Sequence, residues 1–487
     1  MARSRLTPLD SSFLRVESPT AHMHVGWKGI FSPRSDPRHG WGGPSIGELR
    51  QAVSGRLRHA PRFRQRLAFP PAGLGEPVWV DDERFSVEHH VVAMSGAHEA
   101  LPRARFDALA DDCLSRPLER DRALWRIELA PMLEDGNVGL VMKVHHAMVD
   151  GKSAVELALL LLDMAQDADL PQSGDDWTPA VAPGARRLAM EAIADAGGES
   201  LRAVRSAARL ASSPRGGVRL ADTLRRAALA VSEDVMRPAP SSYVNVAIGP
   251  RRTLVHHTTP IKPLLAARKA LVGATLNDVA LTVVAGALRD LSLRSDRVPE
   301  PMKIMVPVST RTAEETVDLG NRISFVFIEL PVHLHRPADR LVRIQEATAR
   351  FKKDDRASGG EAILGALGVL PDPLRDAAAK LAASPRMYNL TVSNVPGPRF
   401  PVYLRGCELQ EAAPVIPLPD HHALSIGIFT YRDQVTFSGY ADPAALPDVV
   451  HLPDAIAAAI AQLDQLQLTA APAPPPLPAN VRRITAA

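Results

Sequence analysis

The chain has 487 residues, 46% of them hydrophobic and 23% charged, with a net charge of +3 at neutral pH. One hydrophobic core rarely supports that length, so two domains of about 200 residues each are expected. The small charge, the 5% aromatic content and the lack of a dense Lys/Arg stripe argue against nucleic-acid binding. Cys113 and Cys407 are the two cysteines, too few and too far apart for a disulfide framework or a cysteine metal site, which fits a reducing cytoplasm. Met1 to Leu14 lacks the apolar core of a signal peptide, and the apolar stretch Leu157 to Met164 is too short to span a bilayer. Contact with a membrane or lipid inclusion is therefore expected to be peripheral.

In chain order, Met23 to Phe31 reads as a strand, Ile46 to Arg58 as a helix, and Ala123 to Ala130 and Val138 to His145 as strands. This alternation predicts a mixed α/β (α+β) first half over residues 1–175. Ser153 to Gln166 reads as a helix with Ala154, Leu157, Leu160, Leu161 and Met164 on an apolar face. Residues 176–242 form a linker with helices: Pro171 to Pro183 leads into an Ala/Arg/Leu-rich stretch, Arg186 to Val235, read as a solvated connection or a lipid-surface element. The second half, 243–469, carries strand candidates at Ile304 to Val308, Ile323 to Val332, Met387 to Asn394, Ala423 to Tyr431 and Val435 to Ala441. The last two suggest a hairpin through Arg432 and Asp433, and Leu452 to Leu466 has helical spacing. Residues 470–487, rich in Ala and Pro, read as a disordered tail.

The string His145 His146 Ala147 Met148 Val149 Asp150 Gly151 directly follows the apolar run Val138 to Val144. Other His-His pairs occur at 89, 256 and 421, but only this one has Asp-Gly downstream. A strand that ends in two histidines before an Asp-Gly turn can hold one imidazole at an opening while burying the other. An imidazole titrates near neutrality, so it can take a proton from an alcohol while that oxygen attacks a thioester, with no acyl-enzyme. Adjacent strand residues point to opposite faces and rarely chelate one ion, so no metal is expected. Ser153 lacks the Gly-x-Ser-x-Gly elbow of a serine nucleophile.

Several segments converge with this string on one family. They are Leu6 to Asp10 with Phe13, Pro61 to Leu67, Trp79 to Asp82, Ala123 Leu124 Trp125, Leu276 to Val279, Pro307 to Arg311 with Gly320 Asn321, and Thr391 to Pro398. Together they make the chain resemble, over nearly its full length, the bacterial wax ester synthase/acyl-CoA:diacylglycerol acyltransferases, within the CoA-dependent acyltransferases built like chloramphenicol acetyltransferase. One departure is Ala123, where the family has proline; loss of that proline softens local backbone without removing a chemical group.

The resemblance implies two α/β sandwiches joined by a helical linker, with an active-site tunnel between them. It makes His146 the base, with His145 supporting the motif. Asp150 is expected to brace the motif by pairing with an arginine, for which Arg311 is the candidate, and Gly151 to leave room beside the imidazole. Asn277 is read as a donor to the thioester oxygen. Asp278 is read both as a capping partner of Thr275 and as a substrate contact. Ser393 and Asn394 are candidates to line the tunnel, and Trp125 is read as structural support. No cofactor is expected, acyl-CoA being a co-substrate, and the acceptor is diacylglycerol or a long-chain alcohol. A condensation-type enzyme acting on carrier-bound groups, and a non-catalytic lipid-body protein on the same scaffold, are the alternatives.

Overall fold

Alternation with period two along Val138–His145, every residue of which is buried, sets the first half of the molecule. A computed structural model describes residues 5–34, 42–73, 75–96, 99–148, 161–170, 177–194, 238–309, 323–353 and 372–468. Strand β6 (Val138–His145) lies between β1 (His24–Phe31) and β5 (Trp125–Ala130). Leu140, Met142 and Val144 join Trp125, Ile127 and Leu129 in a core that also takes Leu49 and Val53 of helix α2 (Ile46–Arg56). Val141 faces the other way, into a core shared with Phe106 and Ala110 of helix α3 (Arg103–Ser115). Lys143 is on that second side, where its ammonium donates to the carbonyls of Cys113 (2.6 Å) and Arg116 at the end of α3. A cation there satisfies orphan carbonyls of the helix terminus. Burial lowers its pKa to about 8.

The first sheet has the order β11-β12-β1-β6-β5-β4, with β4 (Val91–Ala93), β11 (Tyr403–Leu404) and β12 (Cys407–Val415) completing it. A separate two-stranded ribbon pairs β2 (Gln65–Ala68) with β3 (Val78–Asp81). The second sheet runs β7-β14-β13-β10-β8-β9, comprising β7 (Thr253–Pro260), β8 (Met302–Ser309), β9 (Ile323–Leu330), β10 (Leu390–Pro396), β13 (Leu424–Tyr431) and β14 (Gln434–Ala441). Helix α4 (Leu276–Arg294) is buried along most of its length against this sheet's core. The predicted hairpin is present: Tyr431 pairs with Gln434, and Arg432 takes the left-handed backbone (φ 52°) that a two-residue turn requires.

The halves are interleaved rather than strung in series. No strand is expected over 403–415 from the sequence, yet β12 leaves the second half and pairs antiparallel with β1, Gly26 opposite Val415 and Phe31 opposite Leu409. In the other direction, Asp111 of α3 accepts hydrogen bonds from the Leu254 amide (2.9 Å) and the Thr253 hydroxyl (2.7 Å) on the edge strand β7. Arg103 of α3 meets Glu411 of β12 at 2.6 Å. These contacts cover an edge that would otherwise expose unpaired backbone.

Some predicted boundaries shift. The helix predicted to reach Gln166 ends at Leu161 within the described residues, and Asp163 instead bridges to Tyr403. The cause is charge burial: Asp163 is enclosed and held by Arg405 at 3.1 Å and by Arg56. Met164, expected on the apolar face, is exposed. The predicted helix Leu452 to Leu466 is two, Leu452–Ala461 and Asp464–Leu468. Residues 185–194 of the linker are helical. Ser153 and the tail 470–487 lie outside the described residues.

Candidate active site

The two histidines emerge where β6 stops. The His145 amide donates to the Leu124 carbonyl (2.9 Å) and the His146 amide to the Met23 carbonyl (2.8 Å), so the neighbouring chains fix the exit of the strand. Residues His146–Met148 then form one 3-10 turn. The His145 side chain is buried, and its Nδ1 accepts the amide of Ala147 at 3.0 Å, tying the imidazole to that turn. An Nδ1 that accepts an N–H leaves Nε2 as the protonated nitrogen. That Nε2 faces the Glu17 carboxylate at 3.4 Å, within ion-pair reach but off hydrogen-bond geometry.

His146 is partly exposed as a residue, while its Nδ1 is shielded and has no hydrogen-bond partner among the described residues. Its ring lies flat on Phe13, centroids 3.8 Å apart and planes 13° from parallel. Desolvation of the ring lowers its pKa to about 4, so the imidazole is neutral at pH 7. Phe13 belongs to helix α1 (Pro8–Val16), capped by Thr7, whose hydroxyl accepts the Asp10 amide. Arg15 anchors this helix through Glu76 (2.8 Å) and Asp376.

A second group of predicted residues meets in the other half. Strands β8 and β10 run parallel but pair only at Leu390/Ile304 and Thr391/Met305, whereas β10 stays paired with β13 out to Pro396/Thr430. Beyond Thr391 the strands separate, which is where parallel sheets form ligand crevices. Ser393 and Asn394 sit there, both partly exposed. The Asn394 amide donates to Oδ1 of Asn277 at 3.2 Å, joining the strand to the first turn of α4. That bond leaves the NH₂ of Asn277 to donate elsewhere, beside the positive end of a 19-residue helix.

Asp278 is the capping group. Its Oδ2 accepts from the Thr275 amide and hydroxyl, both at 2.8 Å, and its Oδ1 from Thr348 at 2.8 Å. Trp125 is structural: it is buried, its indole N–H donates to the Phe63 carbonyl (2.8 Å), and it stacks on His90 at 4.5 Å. Asp150, Gly151 and Arg311 lie outside the described residues. A cleft lined by Arg116, Arg126, Glu128 and Lys143 opens beside β5 and β6, and neither motif histidine is among its lining.

Sequence reasoning left Phe13 without a role and did not single out Glu17 or His24. Phe13 and Glu17 are four apart, a spacing that puts both on one side of a helix. His24 is paired directly with His145 across the sheet, its ring 6.3 Å away, and burial drives its pKa well below the usual value. Period-two spacing from His22 was the available signal.

Comparisons with known proteins bear on the family and the fold. The pattern of the "wax ester synthase/diacylglycerol acyltransferase catalytic domain" matches residues 6–280, and that of the family's C-terminal domain matches 319–464. A protein of Mycobacterium tuberculosis named as a diacylglycerol O-acyltransferase is 30% identical over 485 residues, covering 95% of this chain and 90% of its own. Another from that organism, tgs2, carries the same activity in its name and is 29% identical, covering 94% and 98%. Among solved structures, the wax ester synthase/diacylglycerol acyltransferase of Marinobacter aquaeolei VT8 superposes with a TM-score of 0.65 at 25% identity, covering 95% of this chain and 99% of that one. The first condensation domain of the calcium-dependent antibiotic synthetase shares the fold, with a TM-score of 0.57 at 17% identity and coverage of 95% and 96%. Such extended agreement in both sequence and structure means that the chain belongs to the wax ester synthase/diacylglycerol acyltransferase family and is an acyl-CoA-dependent acyltransferase.

Proposed function

We propose that the chain moves a long acyl group from acyl-CoA to the hydroxyl of diacylglycerol or a long-chain alcohol, with His146 as general base in a tunnel between the halves. The observation that carries this reading is the state of the His146 ring: neutral at pH 7, held at a strand end against Phe13, with a shielded and unpartnered Nδ1. The imidazole takes the acceptor's proton as its oxygen bonds to the thioester carbon. Negative charge builds on the carbonyl oxygen, where the free NH₂ of Asn277 is suited to donate. The tetrahedral centre then expels the thiolate as the C–S bond breaks, and the imidazolium returns the proton to sulfur. The products are ester and free CoA, with no acyl-enzyme.

Ser393 and Asn394 support this reading as lining groups beside the strand gap, and Gly151 is assigned the role of leaving room for substrate. Asp150 is assigned to bracing the motif. No helix among the described residues is long and apolar enough to cross a membrane. On this reading the protein is cytoplasmic and meets its lipid acceptor at a membrane or inclusion surface.

The test is direct. Purified protein receives one acyl-CoA with diacylglycerol and hexadecanol in competition, and thiol release and both ester products are followed. Thiol release matched by ester is expected, and His146→Ala should lower it by ~10²–10⁴. A His146→Ala enzyme with undiminished ester formation defeats the base assignment. No ester from either acceptor, with turnover of a carrier-bound acyl group, transfers the reading to the condensation-type alternative.

A further inference from the structure

One side of α1 touches both histidines of the motif. Phe13 stacks on His146, and Glu17, at the helix C-cap four residues on, faces His145 at 3.4 Å. We propose that Glu17 is a positioning residue for acyl transfer, its carboxylate holding the Nε2–H form of His145 and thereby the turn that carries His146. This rests on the reading of His146 as the base.

Three observations converge on Glu17. The first is geometric: His145 has two ring nitrogens, and Nδ1 already accepts the Ala147 amide, so only Nε2 is left to carry a proton, and it lies 3.4 Å from the Glu17 carboxylate. The second is enclosure. The Glu17 side chain is 10% exposed and that of His145 2%, so water does not substitute freely for either partner. The third is the state of the acid. Burial pushes its pKa up, but contact with His145 and then Arg120 outweighs that and holds it below the ordinary carboxylate value, so an anion faces the ring. Arg120, in the loop before Ala123, binds the same Oε2 and fixes the carboxylate in place.

The consequence runs from acid to base through the backbone. A His145 imidazole rotated or protonated at Nδ1 cannot accept the Ala147 amide, and the turn that begins at His146 loses its internal tie. Phe13 lies on α1 and Glu17 caps its C-terminal end, so the seat of this helix bears on both rings.

The experiment uses the full-length enzyme labelled with ¹⁵N-histidine, its His145 signals assigned by difference from His145→Gln. The wild type is expected to show an unprotonated Nδ1 and a protonated Nε2. Glu17→Leu is expected to mix the tautomers and lower kcat by about 10–100-fold, the scale of loss when a hydrogen-bond partner that orients a metal-bound histidine is removed. KM for acyl-CoA should change little. Glu17→Gln keeps an oxygen able to accept the Nε2–H and should retain kcat within about threefold. A wild-type His145 protonated at Nδ1, a Glu17→Leu enzyme with wild-type kcat, or a loss confined to KM each overturns the proposal. Should Glu17→Leu fail to fold, the wild-type spectrum and Glu17→Gln decide, a loss beyond tenfold in the latter counting against it. Undiminished transfer by His146→Ala would instead defeat the base assignment and leave the His145 spectrum untouched.

Discussion

The proposed base, His146, owes its neutral state to desolvation. Desolvation against Phe13 takes its pKa to about 4, so the imidazole is unprotonated across the neutral range. The sign of the pH dependence follows. Protonation removes the base, so kcat/KM should hold from pH 7 to about 5 and fall as pH drops through about 4. A titration of kcat/KM with its acidic midpoint at the ordinary histidine value, near 6.5, would contradict this account of the ring's surroundings. His145 differs in kind: its two nitrogens are directed at Ala147 and Glu17, which leaves it no free lone pair for an alcohol.

At the scale of elements, the start of helix α4 sets a capping pair beside the proposed oxyanion donor, Asn277. Thr275 and Asp278 form a capping box and Thr348 adds a third contact, so this pair holds the helix start. Asn277 lies between them, its carbonyl oxygen bound by Asn394 and its NH₂ free of that bond. Thr275→Ala should therefore lower unfolding free energy by about 0.5–2 kcal/mol in urea titration. Asn277→Ala, in contrast, should unfold within about 0.5 kcal/mol of wild type yet lose about 10²–10³ in kcat. Equal behaviour of the two variants in both assays would collapse the distinction between cap and site. The same local logic makes Gly26 of β1 irreplaceable: a Cβ there would lie 2.0 Å from the Met142 carbonyl oxygen, beside the strand that carries the motif.

Among the described residues of the whole molecule, the two six-stranded sheets are tied together by elements from each other's half. β12 completes the first sheet from residues 407–415, and α3 clamps the edge of the second through Asp111, so neither half holds all of its own backbone partners. Expression of residues 1–242 alone should leave the β1 edge open and yield aggregated protein, while co-expression with 238–487 should restore soluble, active material. A monodisperse, folded 1–242 fragment by size exclusion and circular dichroism would show that β12 is dispensable.

Much of this was legible in the residues themselves. Period-two runs gave β1, β5, β6, β13 and β14, the Arg432–Asp433 turn was marked by its position between two such runs, and the histidine string at a strand end pointed to acyl transfer. These signals are local: a strand's alternation and a turn's backbone depend on neighbours a few residues away. The pairing of Gly26 with Val415, the seat of Asp163 between Arg56 and Arg405, and the face of α1 that touches both imidazoles were decided only by the tertiary structure. Each brings together side chains or backbone from separate segments of the chain, where no periodicity carries information about which partner is chosen.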